Sequence, residues 1–460
     1  LGFPLLREKL EDTDSRLAQK AQQADIDLYG NQEDFIEVLK RHTNVSGTFS
    51  VGCETLSKTQ YSIVYDLPNG KALEYNTNKS SLDGYTLLDQ GKIGTPSISY
   101  TQKTRKDYDS RTGTWNTSSA PNIFASAVGA TMEVSFYGAG LDLNFYGDNR
   151  GGIWKFVING DEANAINFSV WRATGANYFE PVFRLSENKQ LHVVATFMGD
   201  DPANPPSGGV SRGWAYGDGG SSETVKKTFS LFSALKQVKT DVTSLFVPSN
   251  KEFAISLRKA GTSHTYHFVP LHGTTPTTVA IEPLKLLVDG VEKTFDIGEV
   301  VSGVKELKLV QKIHAKHPDV PENLARITTI TTFKNDGTVH VDGKFEALVD
   351  LDINRGYGIM FPVSNVFSDH MLTSVRKRYK LDKTDGSEEF LQTEKDRTTS
   401  FLALSDSNKN MGIACTFNNP KETLRWKRTG KRDPDTLRTW IQHRDSNMVK
   451  LYQAVYYNAT

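Results

Sequence analysis

The residues best placed to do chemistry in this 460-residue chain are aromatic and polar, not nucleophilic. A ring left on the polar side of a strand packs well against the apolar C–H face of a sugar. The run Ile166-Asn167-Phe168-Ser169-Val170-Trp171 has that character. Strand alternation puts Ile166, Phe168 and Val170 on one face, and Trp171 on the other with Asn167 and Ser169. Two roles suit such a tryptophan: a ligand platform, or a core position at the strand end. Trp154 shares its face with Phe156 and Ile158 and is expected in the core. Trp214 and Tyr216 fall in the Gly- and Pro-rich run from Asp200 to Gly220, read as a long loop. They are either a second platform or a lid anchored on the protein.

Asp148, Asn149 and Arg150 sit just ahead of Gly151-Gly152 and offer donors and acceptors for sugar hydroxyls. The competing reading is a turn bonded to itself. Asp200 and Asp201 suit an Asp-Asp-Pro turn better than a calcium site, because hard cations require more oxygen ligands than this stretch supplies. His264, His267 and His272 form one cluster, and His314 and His317 another. A three-residue gap in a strand sends His264 and His267 to opposite faces, which opposes joint metal ligation. No Gly-x-Ser-x-Gly elbow, glycine-rich phosphate loop or His-Glu-x-x-His occurs in the sequence. The expectation is therefore a binding protein with no metal, no cofactor and no catalytic residue. An acidic pair for glycoside hydrolysis is set by spatial distance, so a depolymerase remains the enzymatic alternative.

A second candidate is basic. Arg425, Trp426, Lys427, Arg428, Lys431 and Arg432, with Arg438, Trp440 and Arg444 beyond, outweigh Asp433 and Asp435. An anionic surface polymer, a nucleic acid or a solvated loop each fits such a run. The formal net charge of +0 argues against nucleic acid as a partner of the whole chain. Two cysteines, Cys53 and Cys415, provide no disulfide framework or metal motif and are expected as buried thiols. No stretch reaches the ~20 apolar residues of a membrane-spanning helix.

The elements that must carry these residues divide into four segments. Residues 1–44 place Phe3, Leu10, Leu17, Ala24 and Val38 at one heptad position and Ala21, Leu28 and Phe35 at another. That pattern predicts a helix over Leu5–Leu28, a break at Gly30, and a second helix toward His42. Little else in the sequence is helical, so a parallel bundle of identical chains, most simply a trimer, is the expected way to bury the stripe, with packing of the helix on its own β-domain as the alternative. Residues 45–96 read as a small β-rich collar. Residues 97–235 alternate as Thr131–Phe136, Leu141–Phe145 and Leu191–Phe197, the texture of an antiparallel sandwich. Residues 236–460 read as a second β-sandwich. Its clearest hairpin runs from Ala325 through the turn Asn335-Asp336-Gly337 to Asp342. The fold class is mainly β.

Val128–Phe136, the glycine corner Gly138-Ala139-Gly140, Leu141–Leu143, the loop Tyr146–Gly152, the strand Trp154–Gly160 and Leu191–Val194 together resemble galactose-binding-like jelly-roll domains. Asn159 stands where that family more often has Asp. The resemblance implies a carbohydrate-binding module with its site on rim loops. A helical leader followed by such a module and further β-structure is similar to phage tail fibres and receptor-binding proteins. That likeness implies a homotrimeric virion protein acting outside the host cell. Its partners would be a host-surface polysaccharide or teichoic-acid-like polymer and other tail or baseplate proteins. A purely structural fibre or baseplate component is the remaining alternative.

Overall fold

The computed structural model describes residues 47–53, 60–79, 86–105, 108–216, 228–246, 254–269 and 277–367, and strand segments between 370 and 456. The expected helices of 1–44, the basic run from Arg425 to Arg432, and His272 lie outside the described residues. Helical geometry among the described residues is confined to short 3-10 turns such as Glu162–Asn164. The fold is mainly β, and its strands pair antiparallel.

Strands β1 (Phe49–Cys53), β2 (Tyr61–Asp66), β3 (Ala72–Lys79) and β4 (Thr86–Arg105) form a meander. Then come β5 (Ser110–Thr112), β6 (Trp115–Asn116), β7 (Asn122–Ala125), β8 (Thr131–Gly147), β9 (Ile153–Ile158) and β10 (Ile166–Ser169). They are followed by β11 (Ala176–Gly199), β12 (Gly213–Tyr216) and β13 (Phe229–Phe246). One layer pairs in the order β5-β8-β11-β9-β10, and a smaller layer in the order β6-β7-β12. Their facing side chains make one core that includes Val134, Phe145, Trp154, Phe156, Val193, Phe197 and Trp214. The alternation read from Thr131–Phe136 and Leu191–Phe197 is the burial observed, because one face of each run meets this core.

The expected glycine corner is instead the middle of a single strand, β8. There the register against β11 shifts between Arg184 and Lys189, opposite Gly140 and Gly138. A Cβ on Gly138 would lie 2.7 Å from the Phe232 carbonyl oxygen, so only glycine lets β13 approach here. Beyond this point every residue of Leu141–Phe145 is buried, and β13 pairs along the edge of β8 there.

The remaining labelled strands are β14 (Ala254–Lys259), β15 (His267–Val269), β16 (Thr278–Ala280), β17 (Lys285–Val288) and β18 (Val291–Glu292). After them run β19 (Val300–Val304), β20 (Glu306–His317), β21 (Val320–Lys334), β22 (Val339–Ala347) and β23 (Leu351–Ser364). β20 alternates between half-buried and buried residues along its whole length. Phe333 pairs with Val339 across the hairpin read from sequence, and Gly337 takes φ 79° in its turn. Both expected boundaries of the 97–235 segment fall inside continuous strands. β4 and β13 pair with each other across residues 91–105 and 229–246. Residues of the expected collar share a core with this second region: Phe49, Tyr61 and Tyr65 pack in one cluster with Phe295, Leu307, Phe333 and Val363. β1 also pairs with β19. Cys53 is buried in that cluster.

Candidate functional site

Three loops of the first sandwich meet at one rim. Residues 148–152 follow β8, Val170–Arg172 follows β10, and Arg212 precedes β12. Backbone hydrogen bonds lace them together. Arg172 N donates to Asp148 O and Val170 N to Gly152 O, each at 2.9 Å. On the other side, Gly152 N donates to Arg212 O at 3.0 Å and Arg212 N to Arg150 O at 2.7 Å. Ser207 N donates to Asn149 O at 2.9 Å, which ties down the exposed Asn149. The glycines are required by this lacing, because a Cβ on Gly151 would stand 2.2 Å from Val170 O.

Asp148 is the hub beneath the rim. It is buried, and Oδ1 accepts from the Arg150 amide at 2.9 Å and from Trp214 Nε1 at 2.8 Å. Oδ2 accepts from Arg150 Nε at 2.8 Å and also from Nη2. Of the two sequence readings for Asp148, the self-bonded turn is therefore the structure's, and this carboxylate is not open to a ligand. Arg150 keeps 38% of its side chain exposed and stands 5.9 Å from the Trp214 ring centre.

Arg212 lies 4.4 Å over the Phe124 ring and 5.3 Å from that of Trp214. Among the described residues its guanidinium has these ring faces and no hydrogen-bond acceptor. Burial, and then the Arg150 charge, pull its pKa below the ordinary value, with Asp148 opposing. Arg150 and Arg212 thus share one carboxylate, while the third rim guanidinium, Arg172, pairs with Glu180.

Trp171 stands beside Asp148 across a β-bridge and is half-buried. Its ring is not the open platform that alternation implied, because Val170 and Trp171 turn into the laced loop past the end of β10. The indole Nε1 is buried and has no hydrogen-bond partner among the described residues. A buried donor without an acceptor costs about 1–3 kcal/mol, which an acceptor reaching it through a shift of the covering loop would recover.

Trp214 and Tyr216 correct the reading of their loop. Residues 213–216 form β12, which pairs with β7, and the two side chains are only 3% and 6% exposed. Trp214 is covered by Phe124 and Tyr146, so the anchored role is the one taken. Burial raises the Tyr216 pKa to about 12. Trp154 is fully buried, as its face predicts, and donates from Nε1 to Trp214 O at 3.2 Å.

Sequence reasoning missed Arg212 and Phe179. Phe179 is 57% exposed and stands edge-on to Tyr216 at 6.1 Å. The signal for Phe179 was present: adjacent Tyr178 and Phe179 on one strand must face opposite sides. Arg212 carried no local signal, since its meaning comes from Arg150 and Trp214.

Asp201 forms the expected turn, accepting from Ser169 Oγ at 2.6 Å, the Ala203 amide at 2.9 Å and Asn204 Nδ2 at 3.1 Å. Burial raises its pKa, but these hydrogen bonds outweigh burial and hold it below the ordinary carboxylate value. A depressed folded pKa contributes stability that is fully present above the unfolded value of about 3.9 and is lost as pH falls through the folded one. Wild type should therefore exceed Asp201→Asn in urea-unfolding midpoint at pH 7, with the gap narrowing as pH drops below about 4. An equal gap at pH 7 and at the acid end would remove Asp201 from this role.

A concavity of about 360 Å³ lies over β20–β22, lined in part by Lys312, Arg326 and Lys344. Most of its charges pair off: Glu282 with Lys312 and Lys285, and Arg326 with Glu346. Lys344 stands among them as a further cation, but the lining holds no buried donor without an acceptor of the kind that Trp171 presents at the rim. In the basic C-terminal segment, Arg438 and Trp440 fall on the strand Thr436–Asp445, opposite Ala454 and Tyr452. No protein-family model matches the chain, and no curated protein matches it.

Proposed function

We propose that the chain is a receptor-binding adhesin that reads an acidic glycan on a host cell surface, as a tail-fibre protein does. The observation that carries this reading is the donor surplus at the rim. Arg212 and the Trp171 indole N–H have no acceptor among the described residues, and Arg150 shares the buried Asp148 carboxylate with Trp214. A uronate carboxylate or a phosphate on a wall polymer supplies the missing acceptors and balances the second guanidinium. Asn149 adds an amide for neutral hydroxyls. The two-layer sandwich carrying this rim is read as a galactose-binding-like jelly roll, for which rim loops are the expected binding place.

A single site of this kind binds weakly, because water competes for every hydroxyl contact. Assembly through residues 1–44 into a homotrimer would multiply the apparent affinity by roughly 10²–10⁴ where sites engage together. Binding is proposed without cleavage, and the virion tail is the proposed location. The test is binding of the full chain to purified acidic and neutral surface polymers at two salt concentrations. The expected result is retention by the acidic polymer alone, weakened by salt and lost in Arg212→Ala. Equal retention of Arg212→Ala, or no retention by any acidic polymer, rejects the reading; shortened polymer chains would make it an enzyme.

A further inference from the structure

Far from the rim in sequence, the fold joins two histidine groups that the sequence kept apart. His264 lies in the irregular stretch before β15, and His267 opens that strand. His317 ends β20, and Asp319 lies in the turn that leads into β21. Ligand atoms of His267, His317 and Asp319 all stand within 4.8 Å of one another. His264 Nδ1 is 3.8 Å from Asp319 Oδ2, and His317 Nδ1 is 3.9 Å from that same oxygen. The His267 and His317 rings meet edge to face at 4.6 Å, and His264 and His317 lie 5.5 Å apart. The expectation that His264 and His267 diverge assumed a strand through both. The chain is irregular from Thr262 to Tyr266, so alternation does not apply there.

The hydrogen bonds fix the protons on His317. The Asp319 amide donates to His317 Nδ1 at 3.2 Å, so Nδ1 is a bare acceptor. The proton is then on Nε2, which donates to Thr265 O at 2.8 Å. Imidazoles that bind metals are held in this way, one nitrogen donating to a backbone carbonyl while the other presents its lone pair. The His317 side chain is fully buried, which fixes its orientation, while Asp319 keeps 51% exposure and leaves a path for an ion. His267 Nε2 stands 3.2 Å from Thr265 Oγ1, so its ring is placed as well. The Nδ1 lone pair and the Asp319 carboxylate oxygen share no proton across 3.9 Å, and a cation between them would bind both in exchange for the 3.2 Å amide contact.

We infer that His264, His267, His317 and Asp319 form a binding site for one divalent transition cation of the zinc class. Imidazole nitrogens with a single carboxylate suit Zn²⁺, Ni²⁺ or Cu²⁺ and not Ca²⁺ or Mg²⁺, which require more oxygens. Ligand atoms around a tetrahedral Zn²⁺ sit about 3.4 Å apart, so the observed separations close by a few tenths of an ångström for the 3.8–3.9 Å pairs. The ion takes the place of the long Asp319 amide contact on His317 Nδ1. Its effect is to clip the 260–266 stretch to the β20–β21 turn, a cross-link in a chain with no disulfide framework.

The test titrates chelator-treated full chain with Co²⁺, followed by visible absorption, and then with Zn²⁺ as competitor. One equivalent of Co²⁺ with d–d bands, displaced by Zn²⁺ and raising the thermal unfolding midpoint, is expected of wild type. His267→Gln and Asp319→Asn, checked for native circular dichroism, should each weaken Co²⁺ binding at least about tenfold, and together abolish it. His317 is left intact because it is part of the core. Absence of a Co²⁺ spectrum in wild type overturns the inference. So does wild-type binding in the folded double variant, which would assign the ion to other histidines.

Discussion

Trp171→Phe should leave the protein as stable as wild type or slightly more stable, while weakening its binding to an acidic glycan about tenfold or more. The two effects point in opposite directions because they share one atom. Among the described residues the buried indole N–H has no acceptor, so its removal relieves a desolvation cost of about 1–3 kcal/mol. Phenylalanine fills most of the same half-buried space. If a ligand oxygen accepts from that N–H, the variant loses a bond that only the complex makes, and tenfold corresponds to about 1.4 kcal/mol. Thermal unfolding and equilibrium binding to the same polymer measure both arms. Unchanged binding with unchanged stability would show that the N–H meets water or nothing. A large loss of stability would show that the indole makes a contact in the core that Phe cannot.

Asp148→Ala should destabilise the first sandwich by about 2–3 kcal/mol and abolish rim binding. Removing the carboxylate strands the buried Trp214 N–H and the Arg150 amide, and leaves Arg150 and Arg212 as unbalanced neighbours. Breaking a fully buried ion pair costs about 3–5 kcal/mol. The figure here is lower because Arg150 is partly exposed and can turn to water. Urea unfolding followed by tryptophan fluorescence reads the change directly, since Trp214 is the bonded partner. A variant as stable as wild type would mean that solvent enters beneath the rim and replaces the carboxylate. Arg212→Ala is the matching control: it removes a charge from the surplus and should lose retention by the acidic polymer with little cost in stability.

Much of the framework was legible along the chain. Thr131–Phe136 and Leu191–Phe197 each show period-two burial with the expected face inward, and Trp154 and Phe156 turn inward as expected while Val157 is buried on the other face and Ile158 is half-buried. The turn at Asn335-Asp336-Gly337 is where the sequence puts it, because φ near +79° at Gly337 is a local demand that few residues meet. What misled was the sense of separation. A glycine-rich corner became the middle of β8, and the edges expected at 97 and 235 lie within β4 and β13. Glycines mark close approach as readily as turns, and the approaching strand β13 lies roughly ninety residues away along the chain.

The sequence by itself determined the class of structure, the strands and the core position of Trp154. These depend on alternation and turn chemistry among neighbours within a few residues, which a local pattern records. Tertiary structure alone decided that Asp148 is a buried hub, that Trp214 and Tyr216 are covered, and that Arg212 stands over Trp214. It also decided that His264 and His267 meet His317 and Asp319. The physical reason is common to all of them. A side chain's charge balance and access to solvent are set by whatever packs on it, and at both sites that neighbour comes from loops some fifty residues or more away in the chain.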